Sequence, residues 1–377
     1  MAKIRNLLNI SYCRYYCVQR AKKKVPIISC KRPEYNHFDG QTYGKFEVIK
    51  LASQATQLGE IAQNISEHLN INVSTLVGGK TKKKIIDPPI EYTDLMIASL
   101  GAFSKLVTTG IIKIHNVHHV VLDEADTLLD DSFIEKLVAL MKKFRIHYKC
   151  ETKAPPEGCQ ISLVSATLPH ELPESVSAFM DPQSLRTVAT DKIHRILPHI
   201  PHKFLRLGKA QKPGELLKLV QADINLKRQV MVFSNKTSTC DFVSMFLNEN
   251  GIKCLNINGR MAVPLKAGNM DLFKSGKAQV ISSTDVASRG LDTTGVSHII
   301  NYDFPLYTSD YIHRCGRTGR LGSPQDSSVT NFVAWPREVQ LVQKIEEAVR
   351  RNNDLPNVNA NIKRQITNRI MKMRRVA

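Results

Sequence analysis

The stretch His118-His119-Val120-Val121-Leu122-Asp123-Glu124-Ala125-Asp126 decides the fold. A short β-branched run ends abruptly in three carboxylates, and Thr127, Leu128, Leu129, Phe133, Leu137 and Leu140 follow with helical spacing. A strand feeding straight into a helix belongs to an open α/β sheet, whose strand carboxyl ends face the ligand crevice. Two carboxylates there can hold Mg2+ through waters, and a third group can orient an attacking water. The same acids could simply favour the helix dipole. The flanking segments decide between the two.

Strands and helices alternate on both sides of this stretch. Leu58, Ile61, Ile65 and Leu69 carry helical spacing, Ile71–Val77 reads as a strand closed by Gly78-Gly79, and Asp94–Ala98 is a second strand running to Ser99-Leu100-Gly101. Ile161–Val164 is a strand ending in Ser165-Ala166-Thr167. Residues 193–209, with Pro198 and Pro201, read as a linker into a second unit with the same rhythm. Its strands are Val230–Phe233 (ending in Ser234-Asn235-Lys236), Cys254–Ile257, Gln279–Ser282, Ser297–Tyr302 and Asn331–Ala334, and a striped helix covers 338–351. Parallel, doubly wound sheets follow from this alternation.

The formal charge is +19, from 53 Lys+Arg against 34 Asp+Glu, and it is concentrated at the ends. Residues 1–33 hold nine basic groups and no acid, and 363–377 hold six and none, so the body is close to neutral. Basic ends on a near-neutral body point to a polyanion partner or a targeting address. The N-terminal stretch interleaves its basic residues with Leu7, Leu8, Ile10, Tyr12, Tyr15 and Tyr16, as an organelle transit peptide does; a nucleic-acid-binding arm is the alternative. No apolar run reaches the ~20 residues of a spanning helix. Eight cysteines lie scattered without a CxxC pair, which suits reduced thiols and no zinc site.

Two further segments carry chemistry. Ser283-Thr284-Asp285-Val286-Ala287-Ser288-Arg289-Gly290-Leu291-Asp292 joins a strand end to an arginine and an aspartate through a glycine turn. His313-Arg314-Cys315-Gly316-Arg317-Thr318-Gly319-Arg320 sets three arginines among two glycines. Glycine keeps the backbone close while arginine forks meet phosphate oxygens.

In this order the segments resemble the DEAD-box RNA helicase family. Asp123–Asp126 is similar to the family's name motif, Ser165–Thr167 to its third, Ser234-Asn235 to its fourth, Asp285–Asp292 to its fifth and His313–Arg320 to its sixth. The segments TLLD, LDTTGV, NYDFP and LVQKIE resemble a mitochondrial branch that works with mitochondrial ribosomal RNA. The resemblance implies two RecA-like parallel-sheet lobes in tandem, closing on ATP and single-stranded RNA. It implies Mg2+ held by Asp123 through water, with Glu124 positioning the hydrolytic water. Asp126, Ser165, Thr167 and Asp292 would couple the nucleotide to closure. Arg317 and Arg320 would act as arginine fingers, and His313 would tie the sixth motif to the first lobe. RNA would lie on Gly78, Gly79, Gly101, Ser234, Thr284 and Arg289. The implied protein is a monomeric ATP-dependent RNA helicase of the mitochondrial matrix, with the nucleus as the alternative address and no membrane partner.

One element of the pattern is missing. A GxxxxGK[ST] phosphate loop is expected before the acids, because its backbone N–H groups and lysine cradle the phosphates. Gly79-Lys80-Thr81 mimics its end, but position 74 is serine; Gly40–Lys45 is one residue short. The adenine-reading segment is missing too, and of PTRELA only Leu51-Ala52 remains. The family places on the order of a hundred residues in that gap, so the seam falls near residues 50–56, as a skipped exon or an imperfect gene model would leave it. The expected layout is therefore a basic segment at 1–55, a partial ATP-binding lobe at 56–192, the linker 193–209, an intact C-terminal lobe at 210–350 and a basic tail at 351–377. The first lobe is expected to lack the central strand beside Leu122. An ATP-independent RNA-binding protein, or an inactive product, is the alternative function.

Overall fold

The computed structural model describes residues 48–358, apart from 52–54, 70, 79–92, 116, 130–132, 145, 147–158, 168–171, 191–192, 197–198, 286–292, 321, 352 and 356–357. The basic segments 1–33 and 363–377, Gly79, Arg289 and Asp292 therefore lie outside the described residues. The chain divides into two compact units: the first runs to Ser165 and resumes up to Thr190, while the second continues from Asp191 and also takes in Ala166 and Thr167.

The first unit is built on β1 (Val48–Leu51), β2 (Val73–Leu76), β3 (Leu95–Ala98), β4 (His119–Asp123) and β5 (Gln160–Val164). They form a parallel sheet in the order β2-β3-β1-β4-β5. The expectation of an unfilled place beside Leu122 is corrected here. Val48–Leu51 occupies it, pairing Leu51 with Leu122 on one side and with Ala98 on the other. The lobe thus begins at or before Val48 rather than at residue 56. Its central ladder is closed, which removes the expected penalty of ~1–3 kcal/mol for each unpaired buried backbone group. β5 is one of the two edge strands, with Gln160 and Ser162 exposed and Ile161, Leu163 and Val164 half-buried.

Helices follow the strands as the pattern expects: α1 (Ala55–Leu69), α2 (Leu100–Thr108), α3 (Ala125–Leu128), α4 (Ile134–Met141) and α5 (Leu172–Val176). The helix α1 covers the residues whose spacing predicts it, and its buried face is made of small residues. Ala55, Gly59, Ala62 and Ser66 meet the sheet, while Leu58, Ile65 and Leu69 flank the cluster and Ile61 is exposed. Gly59 explains this face, since a Cβ there would collide with the Thr75 side chain. The helix packs so closely on β2 that its small residues must face inward.

The second unit holds β6 (His202–Arg206), β7 (Gln229–Ser234), β8 (Cys254–Ile257), β9 (Val280–Thr284), β10 (Val296–Asn301) and β11 (Ser328–Val333). These pair in parallel in the order β6-β11-β10-β7-β9-β8. Its helices are α6 (Lys212–Asn225), α7 (Thr237–Glu249), α8 (Val263–Lys274), α9 (Thr308–Cys315) and α10 (Pro336–Arg350). Val230, Met231, Val232 and Phe233 are completely buried, as a central parallel strand covered on both faces requires. One apolar cluster lies on each side of the sheet. The lobe runs past the expected end at 350, because Leu355 and Val358 are buried in one of those clusters and Arg195 pairs with Asp354 at 3.1 Å. Among the described residues no helix is long and apolar enough to cross a membrane. Cys159, Cys240, Cys254 and Cys315 are free, buried thiols.

Candidate functional site

Both sheets gather the candidate residues at their strand carboxyl ends. In the first unit, Asp123 closes β4 and Glu124 begins the turn into α3. Glu124 has φ 51 and ψ 50, the left-handed region, which costs a non-glycine residue ~1–2 kcal/mol. Its N–H donates to Asp123 Oδ1 at 3.1 Å, so the carboxylate holds the turn that strains its neighbour. Both acids are buried, whereas Asp126 is half-buried and accepts from the Thr127 N–H at 2.9 Å. Ser165 follows β5, half-buried; Thr167, which groups with the second unit, is buried.

A residue absent from the sequence-based set stands beside Asp123. Lys50 Nζ lies 3.1 Å from Asp123 Oδ2, and both side chains are 6% exposed. Lys50 is opposite Val121 in the β1–β4 register, so it shares a sheet face with Asp123 two residues on. Charged side chains are almost never this buried unless paired. Asp123 therefore has a donor on each oxygen, an ammonium on one and a backbone N–H on the other. A divalent cation at Asp123, as the resemblance implies, fits that donor set poorly: it would meet a buried ammonium on one oxygen and share the other with a backbone N–H. Nothing in the sequence announces Lys50 except its place near the end of a four-residue apolar strand.

In the second unit the strand ends converge on Arg314, which is buried on α9. Its Nε donates to Asp285 Oδ1 at 2.6 Å and its Nη2 to Asp285 Oδ2 at 2.7 Å, a bidentate fork. Nη2 also reaches Asn235 Oδ1 at 2.6 Å, and Nη1 reaches Asn301 Oδ1 at 3.2 Å and the Asp303 carbonyl at 2.7 Å. The loops after β7, β9 and β10 are thereby clasped by one guanidinium, which also lies over the Phe233 ring. Arg314, Asp285 and Asn235 belong to three of the singled-out segments, yet only the structure shows that they form one cluster.

The other two arginines of the sixth segment differ in burial. Arg317 is buried, and its carbonyl accepts from Thr293 Oγ1 at 2.7 Å. Arg320 is half-buried, and its Nε donates to the Gly316 carbonyl at 2.6 Å. Gly319, at φ +65, takes a conformation that favours glycine, and a Cβ there would strike Ile200. His313 is half-buried on α9. Ser234 and Thr284 are register partners with buried side chains, and among the described residues Ser234 Oγ has no hydrogen-bond partner. Gly78 and Gly101, in contrast, are exposed.

Residues 48–176 match the family profile described as DEAD/DEAH box helicase, and residues 211–322 match that of the helicase conserved C-terminal domain. The chain belongs to the DEAD-box helicase family. It is 37% identical over 322 residues to the probable ATP-dependent RNA helicase DDX28 of Mus musculus and 35% identical over 318 residues to that of Homo sapiens. Each alignment covers 82% of this chain and 59% of the relative, so the chain spans about three fifths of their length. Among solved structures, S. cerevisiae Dbp5 bound to RNA and ADP BeF3 matches with TM-score 0.67 and 21% identity, covering 81% of this chain and 76% of that one. The DEAD-box helicase Mss116 bound to ssRNA and UDP-BeF matches with TM-score 0.68 and 19% identity, covering 85% and 64%. These likenesses show the fold: two RecA-like α/β lobes. DEAD-box helicases as a family use ATP with Mg2+.

Proposed function

We propose that this chain binds single-stranded RNA through its phosphates and remodels it as an ATP-dependent RNA helicase. The observation that carries the reading is the Arg314 cluster. It fixes the loops after three adjacent strands relative to one another, so that the segments resembling the fourth, fifth and sixth helicase motifs stand on one rigid end of the sheet. Loops held rigid in this way can present groups to a phosphate chain, and binding through phosphates is salt-sensitive and indifferent to sequence. Asp123, Glu124, Ser165 and Thr167 take the nucleotide side in this reading; Arg317 and Arg320 supply charge to its phosphates, and His313, Asp126 and Asp292 couple the motifs. Mitochondrial ribosomal RNA as the target, and a mitochondrial matrix location, rest on the four branch-like segments and the acid-free basic residues 1–33. The Lys50–Asp123 pair favours a second reading, RNA binding without nucleotide turnover.

RNA-stimulated ATP hydrolysis by the purified chain separates the two, with Glu124→Gln as control. Turnover that disappears in the control supports the helicase. RNA binding with log affinity falling linearly in log salt, but no turnover, supports the binder; absence of RNA binding refutes both.

A further inference from the structure

Asp123 and Glu124 are the carboxylates a nucleotide-bound metal would approach, yet the fold has already given Asp123 a cation. Lys50 cannot slide away along the sheet. Its strand is bonded on both sides, to Ile97 of β3 and to Val121 of β4, and a one-residue slip would turn its side chain to the opposite face. Nor is the ammonium a surface group that happens to reach inward, since only 6% of the side chain is exposed. Withdrawing it from Asp123 would leave two buried charges without each other, an arrangement proteins avoid.

We propose that Lys50 is a built-in counter-cation of Asp123 that competes with divalent metal for this carboxylate, so that the wild-type chain holds Mg2+ or Mn2+ at Asp123 weakly or not at all. The inference rests on the helicase reading for why a metal at this carboxylate matters, and on geometry for the rest. Mg2+ binds oxygen at ~2.0–2.1 Å in near-octahedral geometry and keeps several waters. An ammonium 3.1 Å from Oδ2 occupies one side of this carboxylate, and it carries the same sign of charge as the metal. The competition is intramolecular, so the lysine acts at an effective concentration that free metal must exceed. Removing the charge while keeping the volume, by Lys50→Met, turns Asp123 into a buried carboxylate in need of a cation.

The test is Mn2+ binding followed by electron paramagnetic resonance on the full chain, in wild type, Lys50→Met and the double variant Lys50→Met/Asp123→Asn. Lys50→Met is expected to gain at least tenfold in Mn2+ affinity, and Asp123→Asn in that background to abolish the gain. A folded Lys50→Met that binds Mn2+ no more tightly than wild type overturns the proposal. Should Lys50→Met fail to fold, Fe2+-directed backbone cleavage of the wild-type chain decides. No cutting around residues 119–126 is expected, and a cut there overturns the proposal. RNA binding is measured on the same wild-type sample by fluorescence anisotropy. Its absence would refute the helicase reading and leave the metal result standing.

Discussion

Replacing Arg314 by leucine tests the organisation of the second lobe most directly. The guanidinium makes five hydrogen bonds: two to Asp285, one each to Asn235 and Asn301, and one to the Asp303 carbonyl. Leucine fills part of the volume and satisfies none of these groups. Breaking a buried ion pair from one side costs about 3–5 kcal/mol, because the remaining charge loses its partner. The Asp285 side chain is 22% exposed, so water recovers part of that loss for the carboxylate. Asn235, Asn301 and the Asp303 carbonyl are left short of a donor, at ~1–3 kcal/mol for each group that water cannot reach. A net loss of about 4 kcal/mol follows, a large share of a margin that is usually ~5–15 kcal/mol. For a lobe of this size it lowers Tm by about 8–16 °C, at ~2–4 °C per kcal/mol. The assay is built into the chain. Trp335, the single tryptophan, caps α10 in this lobe, so its fluorescence follows the second lobe alone during thermal or urea unfolding. Arg314→Lys keeps the charge but loses the fork, and is expected to fall between the two. A loss below about 1 kcal/mol in Arg314→Leu would refute the view that this cluster holds the three loops together.

Three other outcomes follow from single residues. Gly319→Ala imposes a side chain at φ +65 and against Ile200, and is expected to cost about 2–3 kcal/mol by the same fluorescence measurement, with no loss arguing that the turn can refold around it. Burial lowers the pKa of His202 from 6.5 to about 4. The unfolded chain then takes up that proton at higher pH than the folded one, so stability is full above pH 6.5 and declines as pH falls toward 4, by about 3 kcal/mol at ~1.4 kcal/mol per unit; His202→Gln should flatten the slope in that window. Burial also raises the thiol pKa of Cys159, Cys254 and Cys315 to about 12 and of Cys240 to about 11, so mass-spectrometric mapping at pH 8 should find all four unmodified by iodoacetamide until the chain unfolds.

The parallel sheets were legible because their strands are apolar runs ended by punctuation, as in VMVF before Ser234-Asn235 and VVLD before Glu124. β1 was not. Four residues, one of them lysine, carry no period, and the segment gains its strand character only from neighbours on both sides. The helix α1 is legible from its spacing, but its buried face is not. Apolar spacing finds a helix but cannot tell that the contact is so close that Ala55, Gly59 and Ala62 must fill it. The sixth segment shows three arginines suited to phosphate; the resemblance singles out Arg317 and Arg320 and leaves Arg314 without a role. Burial separates them: Arg314 is consumed inside the lobe, Arg317 is buried beside a threonine-bonded carbonyl, and Arg320 is half-buried on its own turn.

The two sheets thus reach the same arrangement by unlike means, a buried cation set against an aspartate at a strand carboxyl end. Arginine at position 314 is a fixed fork that stays charged and spreads five donors over three loops, so its aspartate is committed to structure. Lysine at position 50 is a point charge on a flexible stem, lying against an aspartate whose strand opens into a strained turn. A metal ion can challenge a point charge for one oxygen; it cannot replace a fork. Asp285 should therefore be indifferent to divalent cations whatever its exposure, while Asp123 should respond to them once Lys50 is neutralised. The difference between an ion pair that builds a lobe and one that a metal could challenge lies here in the geometry of the cation rather than in its charge.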